Sequence, residues 1–304
     1  MPSEVRKSAR AEARGSVHGN ADCVNADDDA DGLARGRNSV THQRSGRAAF
    51  SVLELLVVMG MIALLAAMLL PSLAAARNQA KSVVCRSNLS QIIRADGFYA
   101  EDNDGVYCPA AADMLRNLDR WHGQRDKPNE PFDSTRGPLV PYLGPDAAIH
   151  QCPTFPADEI AEQSKGFERG CGGYGYNKAF VGQQVEQYAS GEYRVVADQA
   201  GASVGHLTRP AETIMFTDSA FAGRRLIEYS FAEPRFHPQF PDFRADPSIH
   251  FRHADQTNIG WCDGHVDTHR RTFTWASGFY AADPDKLGIG WFGTADDNSL
   301  FDLK

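Results

Sequence analysis

Several common site patterns are missing from this chain of 304 residues. It contains no C-x-x-C pair, no G-x-x-x-x-G-K stretch and no H-E-x-x-H stretch, so the usual zinc-ribbon, P-loop and zinc-peptidase motifs are excluded. Basic residues are also too few for a phosphate-binding surface: 31 Lys and Arg against 39 Asp and Glu give a formal net charge of −8. We therefore expect neither nucleic acid as a partner nor an enzymatic activity.

Cysteine is sparse and scattered. The six cysteines are Cys23, Cys85, Cys108, Cys152, Cys171 and Cys262. In an exported domain such spacing suggests disulfides, although connectivity cannot be read from sequence. Cys152 and Cys171 are the first candidate pair, because closing the loop between them would contribute about 3 kcal/mol. Cys85 and Cys108 are a second candidate pair, which leaves Cys262 over among the five cysteines that follow residue 49.

The first half of the chain divides at Phe50. Residues 1–49 have few large apolar side chains and no periodicity, so we expect a disordered leader. The apolar run of residues 50–70 is long enough to cross a bilayer as a helix, and Arg44 and Arg47 before it predict a cytoplasmic N-terminal side. Helical spacing continues beyond it, which predicts one helix over residues 50–100 with a bend near Pro71.

A single carboxylate, Glu54, lies near the start of the apolar run. An ionisable group in a membrane helix is costly and needs a partner. A cleaved signal peptide has a shorter apolar core and no use for this group, and an ordinary single-pass anchor is the other alternative.

The segment FSVLELLVVMGMIALLAAMLLPSL resembles the cleavage and methylation segment of type IV prepilins and type II secretion pseudopilins. The resemblance implies cleavage between Ala49 and Phe50 by a prepilin peptidase, then N-methylation of Phe50. It also implies that Glu54 and Pro71 serve assembly, with Glu54 pairing to the amine of a neighbouring subunit. The family usually has Gly where this chain has Ala49.

The remaining residues, 101–304, are expected to form an extracytoplasmic globular domain. Residues 211–219 read as a buried strand. Asp263-Gly264 predicts a two-residue hairpin turn within residues 253–270. That turn would pair Ile259 with Thr268 and place Trp261 with them on the inward face.

The same hairpin resembles a prepilin-type processing-associated H-x9-DG domain, on the residues His253, Asp263 and Gly264. Together the two resemblances imply an α+β, pilin-like fold: a long N-terminal helix, membrane-spanning in its first half, packed on an antiparallel β-sheet with extensive loops.

Two groups of side chains are candidate metal ligands. The outer hairpin face carries imidazoles and a carboxylate that suit zinc, and the alternative is a solvated strand face. Those residues are His265, Asp267 and His269. Oxygen ligands near the C-terminus suit calcium, the one candidate cofactor, and the alternative is again a solvated loop. Those residues are Asp296, Asp297, Asn298 and Asp302.

The sequence thus predicts a structural subunit of a type II secretion or type IV pilus-like assembly. It would be anchored by one span in the inner membrane, with its C-terminal domain in the periplasm or at the cell surface. The expected partners are the prepilin peptidase, other pseudopilins, the assembly platform and membrane lipid. The alternative is a membrane-anchored protein that binds a glycan, a surface polymer or a metal and uses the prepilin segment only for export. A hydrolase using the histidine-rich hairpin is a more remote third hypothesis.

Overall fold

The described chain begins with a long helix, α1 (Val52–Asp102). The computed structural model describes residues 50–113, 116–145, 147–155, 168–188, 193–278 and 282–304. The packing groups the chain into two units, Met1–Leu55 and Leu56–Lys304, and every tertiary contact discussed below lies within the second. The predicted leader, residues 1–49, lies outside the described residues.

Helix α1 has two unlike halves. Its residues from Val52 to Lys81 are all exposed although most of them are apolar. Its second half buries one stripe at helical spacing. That stripe is Cys85, Asn88, Leu89, Ile92, Ile93, Ala95, Asp96 and Ala100. Pro71 lies inside the helix, and the bend expected there stays a prediction.

Fourteen short strands follow among the described residues. They are β1 (Asp119–Arg120), β2 (Gly123–Gln124), β3 (Tyr174–Tyr176), β4 (Gln184–Gln187), β5 (Tyr193–Ala197), β6 (Ile214–Asp218), β7 (Phe221–Ala222), β8 (Leu226–Ile227), β9 (Phe236–His237), β10 (Phe240–Arg244), β11 (Ile249–His250), β12 (Gln256–Trp261), β13 (Val266–Arg270) and β14 (Ile289–Gly290). Short 3-10 helices lie at Ser134–Arg136, Val140–Tyr142, Val204–His206 and Asp285–Leu287.

The central sheet has four antiparallel strands in the order β13-β12-β6-β3. Every residue of β6 is buried, as the apolar segment at 211–219 predicted. Five further sheets within the described ranges have two strands each. A long apolar helix followed by antiparallel sheets is an α+β arrangement, so the predicted fold class is confirmed.

Helix α1 packs directly on the central sheet at Gly260. A Cβ atom on that residue would lie 2.2 Å from Ile93 Cδ1. Five residues before Ile93, Asn88 Nδ2 donates a hydrogen bond to the Tyr174 hydroxyl on β3 at 3.1 Å. Alternate residues of a strand lie on the same face, so Asn258 shares the face of β12 that Gly260 presents to the helix, and Ile259 lies on the opposite face.

The hairpin between β12 and β13 differs by one residue from the predicted pairing. Its loop has three residues, because Gly264 N donates to Trp261 O and Trp261 N donates to His265 O. Gly264 has φ +97°, which suits the third position of such a loop. Ile259 therefore pairs with Asp267 rather than with Thr268. A one-residue shift turns β13 over relative to β12, so the predicted grouping of its side chains was wrong.

Candidate functional site

Four buried side chains from distant parts of the chain converge where helix α1 meets the sheet. They are Cys85, Cys152, Asp218 and His253, and their potential ligand atoms all lie within 4.8 Å of one another. Cys85 and Asp218 are 133 positions apart in sequence, and Cys152 and His253 are 101 apart. Cys85, Cys152 and His253 were singled out from the sequence, but not as members of one cluster, and Asp218 was not singled out.

The fold brings each residue to this point for a local reason. Cys85 is the first buried position of α1, and Asp218 ends β6 on the side that faces the helix. Cys152 is held by a backbone hydrogen bond from its N–H to Gly172 O. His253 lies in the turn before β12, where its N–H donates to Gln256 O. The cluster therefore ties the helix, two loops and a strand end together.

The distances inside the cluster are short. Cys85 Sγ donates to Asp218 Oδ1 at 3.1 Å. His253 Nε2 lies 3.3 Å from Asp218 Oδ2 and 3.6 Å from Cys152 Sγ. Each of these atoms is a common ligand of borderline-soft divalent cations.

A second layer of polar groups fixes the orientation of the four side chains. Thr154 Oγ1 contacts His253 Nδ1 at 3.0 Å, which leaves Nε2 directed into the cluster. Asp218 Oδ2 accepts hydrogen bonds from Asn258 N at 2.8 Å and from Asn258 Nδ2 at 3.2 Å. Arg252, almost completely buried, places its Nε 3.8 Å from Asp218 Oδ1 and donates through Nη2 to two backbone carbonyls.

Charge is concentrated in this buried volume, and the pKa values reflect it. A hydrogen bond from Cys85 and another from His253 lower the pKa of Cys152 to about 4. Burial by itself raises the pKa of Asp218, but the charges of Arg252 and His253 outweigh it and hold the pKa below its usual range. Burial raises the pKa of Cys85. Two thiols and a carboxyl group thus lie together with an imidazole and a guanidinium in the buried interior.

The zinc site predicted on the hairpin does not form in the described structure. His265 Nδ1 contacts Asp263 Oδ1 at 2.5 Å, whereas His269 Nε2 contacts Asp267 Oδ2 at 3.0 Å. Asp267 also accepts from Trp261 Nε1. His265 is therefore engaged outside the predicted set, while His269 and Asp267 pair with each other, and among the described residues these three side chains do not converge on one point.

The predicted calcium loop is likewise divided among other partners. Asp296 forms ion pairs with Arg235 and Arg244. Asn298 bonds to the backbone of Phe236 through both its oxygen and its nitrogen. The other two carboxylates cap nearby backbone N–H groups: Asp297 that of Ser299, and Asp302 that of Lys304. Two arginines at the Asp296 carboxylate disfavour a cation there.

The predicted disulfide between Cys152 and Cys171 is wrong for this structure, in which both are free thiols. Cys152 Sγ lies in the four-residue cluster, whereas Cys171 Sγ contacts Glu228 Oε1 at 3.5 Å. The loop length permitted the bond, but the two sulfur atoms have different surroundings. Cys108 and Cys85, the second candidate pair, are also free and buried.

The residues of the H-x9-DG pattern take separate places. His253 belongs to the buried cluster, while Asp263 and Gly264 form the hairpin loop at the other end of β12. Asp263 Oδ1 accepts from His265 N at 3.1 Å and so supports that loop.

The predicted processing and assembly residues lie at the start of α1. Ala49 falls outside the described residues, and Phe50 is exposed. Glu54 Oε2 accepts from Ser51 N at 3.1 Å, while Ser51 Oγ accepts from Leu53 N at 3.3 Å. This reciprocal arrangement is a capping box, which sequence reasoning had not identified although Ser51 and Glu54 have its spacing.

Two glycine-rich stretches match known motifs by spacing alone. Residues 201–205 read G-x-S-x-G, and residues 288–293 read G-x-G-x-x-G. The first runs into the 3-10 helix Val204–His206, and the second contains the two-residue strand β14. Neither joins a strand to an α-helix, which both motifs require for their chemistry.

The chain is similar to a curated protein that is named as a pilus component. It is 38% identical over 63 residues to a protein of Thermus thermophilus named "Type IV wide pilus major component PilA4". The match covers 21% of this chain and 48% of the relative, so the chain spans about half the length of the curated protein it matches. No protein-family model matches the chain, and no solved structure matches it significantly. The similarity and the long apolar helix both fit a pilin-like protein with a single membrane-spanning segment.

Proposed function

We propose that this chain is a membrane-anchored, non-catalytic structural subunit of a type IV pilus-like or type II secretion assembly. The single observation that carries the proposal is the division of helix α1. Its first half is apolar and exposed from Val52 to Leu73, whereas its second half is packed on the central sheet. The similarity to a pilus component supports the same function.

The length of the exposed half suits both surroundings that the proposal requires, which are a lipid bilayer and the same helices of neighbouring subunits. Residues 52–70 rise about 28 Å as an α-helix, which is close to the ~30 Å of a bilayer core. A contiguous apolar surface of this size needs lipid or other helices to cover it. In the membrane it would contact lipid, and after assembly it would contact the same helix of neighbouring subunits. The globular domain would then lie in the periplasm or at the cell surface.

Glu54 would set the register between subunits. In the single chain its carboxylate accepts a hydrogen bond from Ser51 N and lies at the positive end of the helix dipole, which lowers the cost of the charge. Cleavage between Ala49 and Phe50 by a prepilin peptidase would create a new amine four residues away. The amine of one subunit would pair with Glu54 of the next, since an ion pair offsets the cost of each charge in lipid. Other pseudopilins and an assembly platform are the partners this implies.

The mature N-terminus tests the processing step. Intact mass and N-terminal peptide sequencing of the membrane-bound protein should show a chain that begins with N-methylated Phe50. A chain that keeps residues 1–49 would lack the amine required by Glu54. That result would favour the alternative in which the apolar helix serves only to anchor a binding protein.

The Glu54 pairing is tested separately by cross-linking in membranes. Glu54→Ala should insert normally but give at least severalfold fewer subunit cross-links than the wild type. Ser51→Ala is the matched control, because it removes the side-chain cap, at a cost of about 1 kcal/mol, and keeps the carboxylate. Normal cross-linking of Glu54→Ala, or an equal loss in Ser51→Ala, would contradict the pairing.

A further inference from the structure

We propose that Cys85, Cys152, Asp218 and His253 bind one divalent cation of borderline softness, of which zinc is the type, in a structural centre that fastens helix α1 to the globular domain. This inference does not depend on the proposed assembly function. It rests on the donor atoms, their spacing, their second layer of contacts and their burial.

The donor set is the first argument. Two thiols, an imidazole and a carboxylate are the side chains that zinc prefers, and soft sulfur disfavours calcium and magnesium. All four are buried, and their ligand atoms come within 4.8 Å of one another. Since protein side chains supply the complete tetrahedral set, the centre has no open position for substrate, which is the character of a structural site.

Two of the six distances between the ligand atoms agree with those of a tetrahedral zinc centre. With ordinary zinc bond lengths, the edge between an imidazole nitrogen and a carboxylate oxygen is about 3.4 Å, and that between sulfur and nitrogen is about 3.6 Å. The corresponding distances here are 3.3 Å from His253 Nε2 to Asp218 Oδ2 and 3.6 Å from His253 Nε2 to Cys152 Sγ. A cation can therefore enter with small movements of the side chains.

The second layer of contacts matches what a metal centre needs. Metal-bound histidine usually hydrogen-bonds through its other ring nitrogen, and metal-bound carboxylates are held by neighbouring donors. Thr154 supports His253 Nδ1 in this way, and Asn258 supports Asp218 through two donors. These contacts hold the imidazole and the carboxylate in place beside the two sulfur atoms.

Buried charge is balanced when the cation is bound. Two thiolates, one carboxylate and a divalent cation carry one net negative charge, and buried Arg252 beside Asp218 supplies the opposite charge. The centre would thus remain neutral in the apolar interior, where an unbalanced charge is costly.

The consequence for the molecule is a metal cross-link between segments that packing and a few hydrogen bonds otherwise hold together. Cys85 is the first buried residue of α1 after the exposed half, so the centre lies where the helix first meets the domain. A force on the helix would be transmitted to β6 and to the turn before β12 through metal–ligand bonds.

Metal content of the full-length chain, purified in detergent without chelators, is the first test. Elemental analysis should give one equivalent of zinc per chain, and exchange for cobalt should give the visible bands of a tetrahedral ion with thiolate-to-cobalt charge transfer. Cys85 and Cys152 should resist alkylation until the cation is removed. A chain without bound metal, with these two residues either as free thiols or as a disulfide by intact mass, would overturn the proposal.

Matched variants assign the metal to this cluster. The double variant Cys85→Ser/Cys152→Ser and the single variant His253→Ala should lose the zinc and the cobalt bands. Cys171→Ser and His269→Ala should keep both, since these residues lie outside the cluster. Equal metal content in the first group and the controls would place the ion elsewhere and refute the proposal. If the first variants fail to fold, the wild-type cobalt spectrum and alkylation pattern still decide the question.

Discussion

Gly260→Ala is expected to weaken the packing of helix α1 on the central sheet. The added Cβ would lie 2.2 Å from Ile93 Cδ1 and 3.2 Å from Ile93 Cγ1. Real Cβ atoms do not approach another carbon to 2.2 Å, so Ile93 must leave its position. Ile93 is itself buried, and a displaced side chain there has little room.

The size of the effect follows from the same distances. Overpacking of this kind costs about 1–3 kcal/mol. Ile93→Val removes Cδ1, the closest atom, at a cost of about 0.5–1.5 kcal/mol by itself. In that background the nearest remaining atom is Cγ1 at 3.2 Å, a tight contact that a small shift relieves, so Gly260→Ala should cost less than it does in the wild type. We therefore expect the double variant to be more stable than the sum of the single effects by about 1–2 kcal/mol.

Thermal unfolding of the four proteins in detergent, followed by tryptophan fluorescence, measures this coupling. Gly97→Ala is the matched control, because it adds a Cβ on α1 with no other atom within 4 Å. A glycine inside a helix costs about 0.5–1 kcal/mol relative to alanine, so this variant should unfold at a slightly higher temperature.

Two outcomes would refute the described packing. Gly260→Ala could unfold at or above the wild-type temperature, as expected for a strand glycine with open space above it. Alternatively, the effects of Gly260→Ala and Ile93→Val could simply add, which would mean that the two residues are not in contact.

Two further predictions concern Asp96 and the hairpin loop. Burial raises the pKa of Asp96 to about 7 from an ordinary 3.8, so the folded chain keeps a proton that the unfolded chain releases, and stability falls as pH rises through this interval. Asp96→Asn keeps an oxygen that can accept the hydrogen bond from Cys108 N, and it should abolish this loss of stability with rising pH. If the melting temperature of the variant depends on pH as that of the wild type does, the prediction is wrong. Gly264→Ala should lose on the order of 1–2 kcal/mol through backbone strain alone, because φ is +97° and its Cβ would meet no atom within 4 Å. Gly264→Asn should lose less, and equal unfolding temperatures for wild type and Gly264→Ala would exclude strain at this position.

Much of the fold could be predicted because its signals are local. The apolar run and the helical spacing after it predicted a helix over residues 50–100, and α1 spans Val52–Asp102. Asp263-Gly264 located the hairpin correctly. The predicted register was wrong because a glycine with positive φ fits both two-residue and three-residue hairpin loops. The contacts of the flanking strands determine which loop forms, and they are not visible in the sequence.

The buried cluster could not be predicted, for the opposite reason. Its members are separated by up to 168 positions, from Cys85 to His253, and no short spacing joins them. The pairing of Cys152 with Cys171 was predicted from the length of the loop between them. Loop length gives the entropy of closing the chain but not the position of either sulfur atom. What places Cys152 beside His253 is the packing of several loops around β6, which depends on the whole core.

The spacing between His253 and Asp263 has a physical reason in this fold. The residues between them form the turn after His253, strand β12 and the first loop position. At the start of this segment, the His253 imidazole must lie next to Cys85 of helix α1. At its end, the chain must turn back just after Gly260, the residue of β12 that contacts Ile93 of the helix. Alternation along a strand has a period of two, so one residue more or less would turn Asn258 and Gly260 away from the helix. Asp218 would then lose the donors of Asn258, and Ile93 would meet a side chain instead of a glycine. The length of this segment is therefore set jointly by the buried cluster and by the packing of the helix that would carry the subunit into the membrane.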